Sequence, residues 1–139
     1  MAAILALEDG RFLLQLRDDI PEIWYPGHWG LFGGSLDPGE DEIAALRREL
    51  REEIELELTE EARLFTRFEF DLRPIGKERY FRSYYRVPLP LAVFSELTLH
   101  EGAAMKAFSG EEAFNLRLSP YDSFALFLYC QQMGCDGGR

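Results

Sequence analysis

Three glutamates, Glu49, Glu52 and Glu53, fall at i, i+3 and i+4. If that stretch is helical, their side chains converge on one side within about one turn. Like charges at such spacing cost a helix a few tenths of a kcal/mol per pair unless a cation relieves them. Crowded carboxylate oxygens are hard ligands, and they suit Mg²⁺, with Mn²⁺ as the alternative. Just upstream stand Gly33 and Gly34, where backbone can pass close to a ligand or ion that a Cβ would obstruct. The competing reading is a solvated acidic helix face paired with Arg47, Arg48 and Arg51. The spacing of the whole segment favours chemistry over it.

That segment runs Gly34-Ser-Leu-Asp-Pro-Gly-Glu40, then seven residues, then Arg48-Glu49-Leu50-Arg51-Glu52-Glu53-Ile54-Glu55-Leu56. It resembles the Nudix (MutT-like) box: Gly, five residues, Glu, seven residues, Arg-Glu, an aliphatic, any residue, Glu-Glu, any residue, Gly, an aliphatic. Every defined position matches except Glu55, which stands where the family has Gly. The resemblance implies that Glu49, Glu52 and Glu53 bind metal or act as base, and that the Gly33 carbonyl adds to the metal site. It also implies that Gly34, Glu40 and Arg48 shape the loop, the last two as a pair bracing it against the helix. Glu101, in Leu-His-Glu-Gly, resembles a late-loop carboxylate that supplies a further ligand or base in relatives. Glu55 puts the helix exit in question, because a non-Gly residue in the left-handed conformation costs about 1 kcal/mol.

Elements that could position these residues follow from periodicity. Ala2 to Leu7 and Phe12 to Leu16 read as strands around an Asp9-Gly10 turn. A short apolar strand, Trp29 to Phe32, stops at Gly33-Gly34, and Asp37-Pro38-Gly39 reads as a tight turn. Asp41 is a plausible N-cap for a helix whose apolar stripe is Ile43, Leu46, Leu50 and Ile54. Arg63 to Leu72 and Arg79 to Val87 look like long strands joined around Pro74-Ile75-Gly76. A strand near Met105 to Phe108, a helix from Ser109 or Gly110, and a last helix from Ser119-Pro120 to about Met133 complete the chain. This order argues for an α/β (α+β) fold, one domain over residues 1–139, and the resemblance implies a Nudix-type α/β/α sandwich with a mixed sheet between helices.

Composition agrees with a folded domain of 139 residues: 47% hydrophobic, with eleven Phe, six Tyr and two Trp to fill a core. The net charge of −10 disfavours nucleic acid as a partner. Half of that excess lies between Glu40 and Glu57, where eight carboxylates meet three Arg, 3 − 8 = −5. Cys130 and Cys135 fit neither a CxxC pair nor half of a zinc site, and read as structural or incidental. With no signal peptide and no membrane-spanning run, a cytoplasmic setting is expected. His28 and His100 read as incidental. Trp24, Tyr25, Trp29, Phe81, Tyr84 and Tyr85 could stack a base, though aromatics at strand spacing usually fill a core.

The resemblance therefore implies Mg²⁺-dependent hydrolysis of a phosphoanhydride bond in a nucleoside diphosphate linked to another moiety, nucleotide-sugar-like or ADP-ribose-like. Alternatives are a nucleoside triphosphate pyrophosphohydrolase and a non-catalytic nucleotide-binding module of the same fold. The expected partner is a small nucleotide diphosphate; a homodimer is compatible with the sequence, a membrane is not, and no residue is assigned to the substrate.

Overall fold

The computed structural model describes residues 1–58 and 62–135. Its strands are β1 (Ala2–Leu7), β2 (Phe12–Leu16), β3 (Trp29–Gly30), β4 (Phe32–Gly33), β5 (Arg63–Asp71), β6 (Arg79–Leu89) and β7 (Ala104–Phe108). Its helices are α1 (Glu42–Ile54), α2 (Leu91–Phe94), α3 (Gly110–Phe114) and α4 (Pro120–Met133). Strands β3, β2, β1, β6 and β5 lie in that order, with β4 pairing β1 and β7 pairing β2. The β1–β6 pair is parallel and the others are antiparallel, so the sheet is mixed.

Period-two alternation in β1 divides two cores. Ala3, Leu5 and Leu7 pack with Phe32 and the α1 stripe of Leu46, Leu50 and Ile54. Ala2 and Ile4 face the other way, toward Tyr84 and the Ala125, Leu126 and Tyr129 face of α4. The result is the expected α/β/α sandwich. Among the described residues no helix is long and apolar enough to cross a membrane.

The expected Trp29 to Phe32 strand is split at Leu31, whose N–H donates to the Asp122 carboxylate at 2.9 Å instead of to a neighbouring strand. Pro88 does not end β6, which continues to Leu89 beside β1. The two cysteines are not incidental: Gly134, at φ 74°, turns the chain past α4 and brings Cys135 to Cys130 at a Cα separation of 4.6 Å, where they form a disulfide.

Candidate active site

Helix α1 starts where its cap dictates: the Asp41 side chain accepts the Ala44 N–H at 2.7 Å. From there the helix turns Glu49 and Glu53 to the edge of its buried stripe. Glu53 is 4% exposed, an unusual burial for a carboxylate. Its Oε2 has no hydrogen-bond partner. Burial first, and then the neighbouring Glu101, push the Glu53 carboxyl up to about 10. Glu49 is also raised, chiefly by burial and against the pull of Arg48.

Oxygens of Glu49, Glu53 and Glu101 all lie within 4.8 Å of one another. Glu52 stands outside this group: its side chain is 59% exposed and meets Arg48 at 3.3 Å. The loop before β7 brings Glu101 to Glu49 and Glu53. A divalent cation fits this donor set, because three hard oxygens converge and one buried oxygen lacks a partner.

Space dictates Gly33 outright, and at Gly34 it is the Glu49 carboxyl that a side chain would have to push aside. A Cβ on Gly34 would stand less than 3 Å from the Glu49 carboxyl, and one on Gly33 would strike the backbone of Met1 and Ala2. Gly34 N–H donates to the Met1 carbonyl at 3.0 Å, which fixes the loop against β1. Arg48 organises the loop from the other side. Its guanidinium donates to Glu40 through Nε at 2.8 Å and Nη2 at 2.9 Å, to the Ser35 carbonyl at 3.0 Å and to Glu49 at 3.0 Å. Beside it the Glu40 carboxyl titrates below the ordinary carboxylate range. Gly39, at φ 84°, serves the turn in which Glu40 N–H donates to Asp37.

Glu55 occupies the left-handed conformation itself, φ 57° and ψ 33°, so α1 ends as a glycine would end it. Leu56 N–H reaches back to the Leu50 carbonyl at 3.2 Å. His100 is not incidental, since its Nε2 lies 2.7 Å from Glu55 Oε2. His28 accepts from Arg117 Nε at 3.2 Å.

Glu53 and Glu101 of this cluster line a cleft of about 840 Å³. Trp24 packs against both Tyr25 and Tyr80 in its lining, and Phe81, Arg17, Arg67 and Arg82 also line it. Sequence reasoning missed Asp122 and Gln15, which also line it. Asp122 is buried and accepts from Leu31 N–H, Tyr84 Oη at 3.0 Å and, as an ion pair at 3.3 Å, Arg82. Its signal was available, as it is the lone charge in the otherwise uncharged α4. Gln15, at an inward position of β2, gave none.

Comparison with known proteins adds four findings. The chain matches the NUDIX domain family over residues 1–125. A stretch of 58 residues is 47% identical to the nucleoside triphosphatase NudI of Escherichia coli, covering 40% of this chain and 40% of that protein. The match thus spans less than half the length of the curated relative. The solution structure of the E. coli ORF135 protein aligns with a TM-score of 0.76 at 27% identity, over 99% of this chain and 91% of that one. The MutT NUDIX hydrolase of Burkholderia pseudomallei aligns at 0.70 and 26%, over 91% and 92%.

Proposed function

The chain belongs to the Nudix family, and from that premise we propose that it is a single-domain hydrolase of phosphoanhydride bonds in nucleoside di- or triphosphate derivatives. The observation that carries this reading is the convergence of Glu49, Glu53 and Glu101, with an unpartnered buried oxygen on Glu53, at the mouth of a cleft lined by arginines and aromatic rings.

In this reading Glu49, Glu53 and Glu101 would hold Mg²⁺ together with the Gly33 carbonyl, and Glu52 lies at the rim. Bound there, Mg²⁺ supplies charge neutralisation for the diphosphate and a lower pKa for the attacking water. The Glu101 carboxylate, exposed at the cleft, would accept a proton from the attacking water and return it to solvent. Water oxygen bonds to phosphorus while the bridging P–O bond breaks, so the products are two phosphate monoesters, or one monoester plus pyrophosphate. Glu40 and Arg48 keep Glu49 in place through the contacts described above. Trp24 and Tyr80, whose ring centroids lie 5.4 Å apart, offer a face for a planar base.

Of the two substrate classes, a diphosphate linked to a second moiety is the first reading, and the cleft admits either. The stretch shared with a nucleoside triphosphatase favours triphosphates as the second reading. A turnover screen of nucleoside diphosphate-X compounds and triphosphates with Mg²⁺ or Mn²⁺, reading phosphate released after phosphatase coupling, separates them. Tight nucleotide binding with no turnover on any compound would replace the enzyme with a binding module.

A further inference from the structure

Glu101 is the one member of the carboxylate cluster that α1 does not carry, and it is exposed. Its position therefore depends on what holds the loop from Thr98 to Gly102. Two backbone bonds tie the loop to the helix exit: Thr98 N–H to the Ile54 carbonyl at 3.2 Å and His100 N–H to the Glu53 carbonyl at 2.7 Å. On the far side Gln15 Nε2 donates to the Glu101 carbonyl at 2.7 Å. Gly102 presses on Gln15 so closely that a Cβ there would stand less than 3 Å from it.

Any residues could supply the backbone bonds, but the side-chain pair of Glu55 and His100 cannot be replaced so freely. Glu55 stands where the box has glycine, in a conformation that glycine adopts at lower cost. A non-glycine residue held there points to something its side chain does. What this one does is reach His100, the residue next to Glu101, at 2.7 Å.

We propose that Glu55 and His100 form a clasp that positions Glu101 over Glu53, with Gln15 bracing the loop from β2. Glu55 and His100 are positioning residues: neither belongs to the carboxylate cluster, and both act through Glu101. The inference rests on the metal-dependent hydrolase reading, and its readouts are chosen so that the two can fail separately.

The test measures Mn²⁺ binding by electron paramagnetic resonance without substrate, and amide hydrogen exchange at His100 and Glu101 without metal. The variants are His100→Ala, Glu55→Ala, the double variant and His100→Gln. Glutamine places its amide nitrogen near the position of His Nε2 and can donate to Glu55. Because an exposed pair is individually weak, each alanine variant should weaken Mn²⁺ binding only about three- to tenfold. The double variant should lose no more than either single one, and His100→Gln should recover most of the binding. Exchange at His100 and Glu101 should quicken in the alanine variants and not in His100→Gln. Additive losses, no recovery with glutamine, or unchanged exchange in His100→Ala would overturn the clasp. A parent protein that binds no Mn²⁺ would sink the hydrolase reading, and the exchange rates would still decide the clasp.

Discussion

Gly34 and Glu49 compete for the same space: a single methyl on residue 34 would sit less than 3 Å from the Glu49 carboxyl. Gly34→Ala should therefore displace Glu49 from the cluster while leaving the α1 core stripe intact. Misplacing a reacting group by about 1 Å can cost about 10²-fold, and a loss of that size is expected in kcat. Turnover within a factor of about two of the parent, an effect too small for such a displacement, would show that Glu49 is not needed where it stands.

Glu53→Gln keeps the shape of the buried carboxylate of the cluster and removes its charge. Turnover should fall by about two to four orders of magnitude, as when a group that stabilises the transition state is lost. Arg47→Gln, on the exposed side of the same helix, is the control and should cost little. If the Glu53 variant turned over nearly as fast as the parent at saturating Mg²⁺, the acidic cleft would have to be something other than the catalytic centre.

The raised titration of Glu53 makes the metal-free protein sensitive to pH in a definite direction. The unfolded chain ionises this group near 4.5 and the folded one near 10, so between those values the unfolded state binds fewer protons. The stabilisation is complete below 4.5 and is lost as pH rises toward 10. Melting curves in chelator should show the midpoint falling over that window, more steeply for the parent than for Glu53→Gln. Parallel slopes in the two proteins would contradict the assignment.

Millimolar Mg²⁺ should raise the melting temperature more than NaCl of equal ionic strength, since a ligand that binds only the folded state stabilises it by mass action. Equal shifts would mean simple screening of the acidic helix.

Arg48→Lys keeps the charge but cannot reproduce the two-pronged bond to Glu40 together with those to Ser35 and Glu49. About tenfold or more should be lost in metal affinity or turnover, as for other groups that orient metal ligands. Unchanged Mg²⁺ dependence would place Arg48 outside the machinery.

Helix α1 was legible almost to the residue, because an N-cap aspartate and a stripe at steps of three and four are local signals. The exact membership of the acidic cluster was not. At 100° per residue, Glu53 lies about 40° to one side of Glu49 and Glu52 about 60° to the other, so sequence nearness overstated their convergence. Glu101 was legible only through family resemblance, since nothing local says which loop will fold over α1. The pairing of Glu55 with His100 and of Gln15 with the Glu101 carbonyl joins residues 45 and 86 positions apart. Such contacts belong to the tertiary fold. Asp122 could have been flagged as a carboxylate in an apolar helix; its partners Leu31 and Tyr84 could not.

The parallel pairing of β1 with β6 bears on the order in which the molecule can assemble. Residues 2–7 find their neighbours at residues 84–89, and closing so long a loop is slow compared with forming a helix or hairpin. During synthesis the β1–β2 hairpin and α1 emerge first, yet the flank of β1 stays open until more than half the chain has been made. Glu49 and Glu53 therefore exist on a nascent helix before the sheet that buries Glu53 is complete, and the loop bearing Glu101 arrives later still. The acidic cluster is completed only when Glu101 joins Glu49 and Glu53, so a chain halted before Thr98 would carry the whole of the sequence box without its third carboxylate.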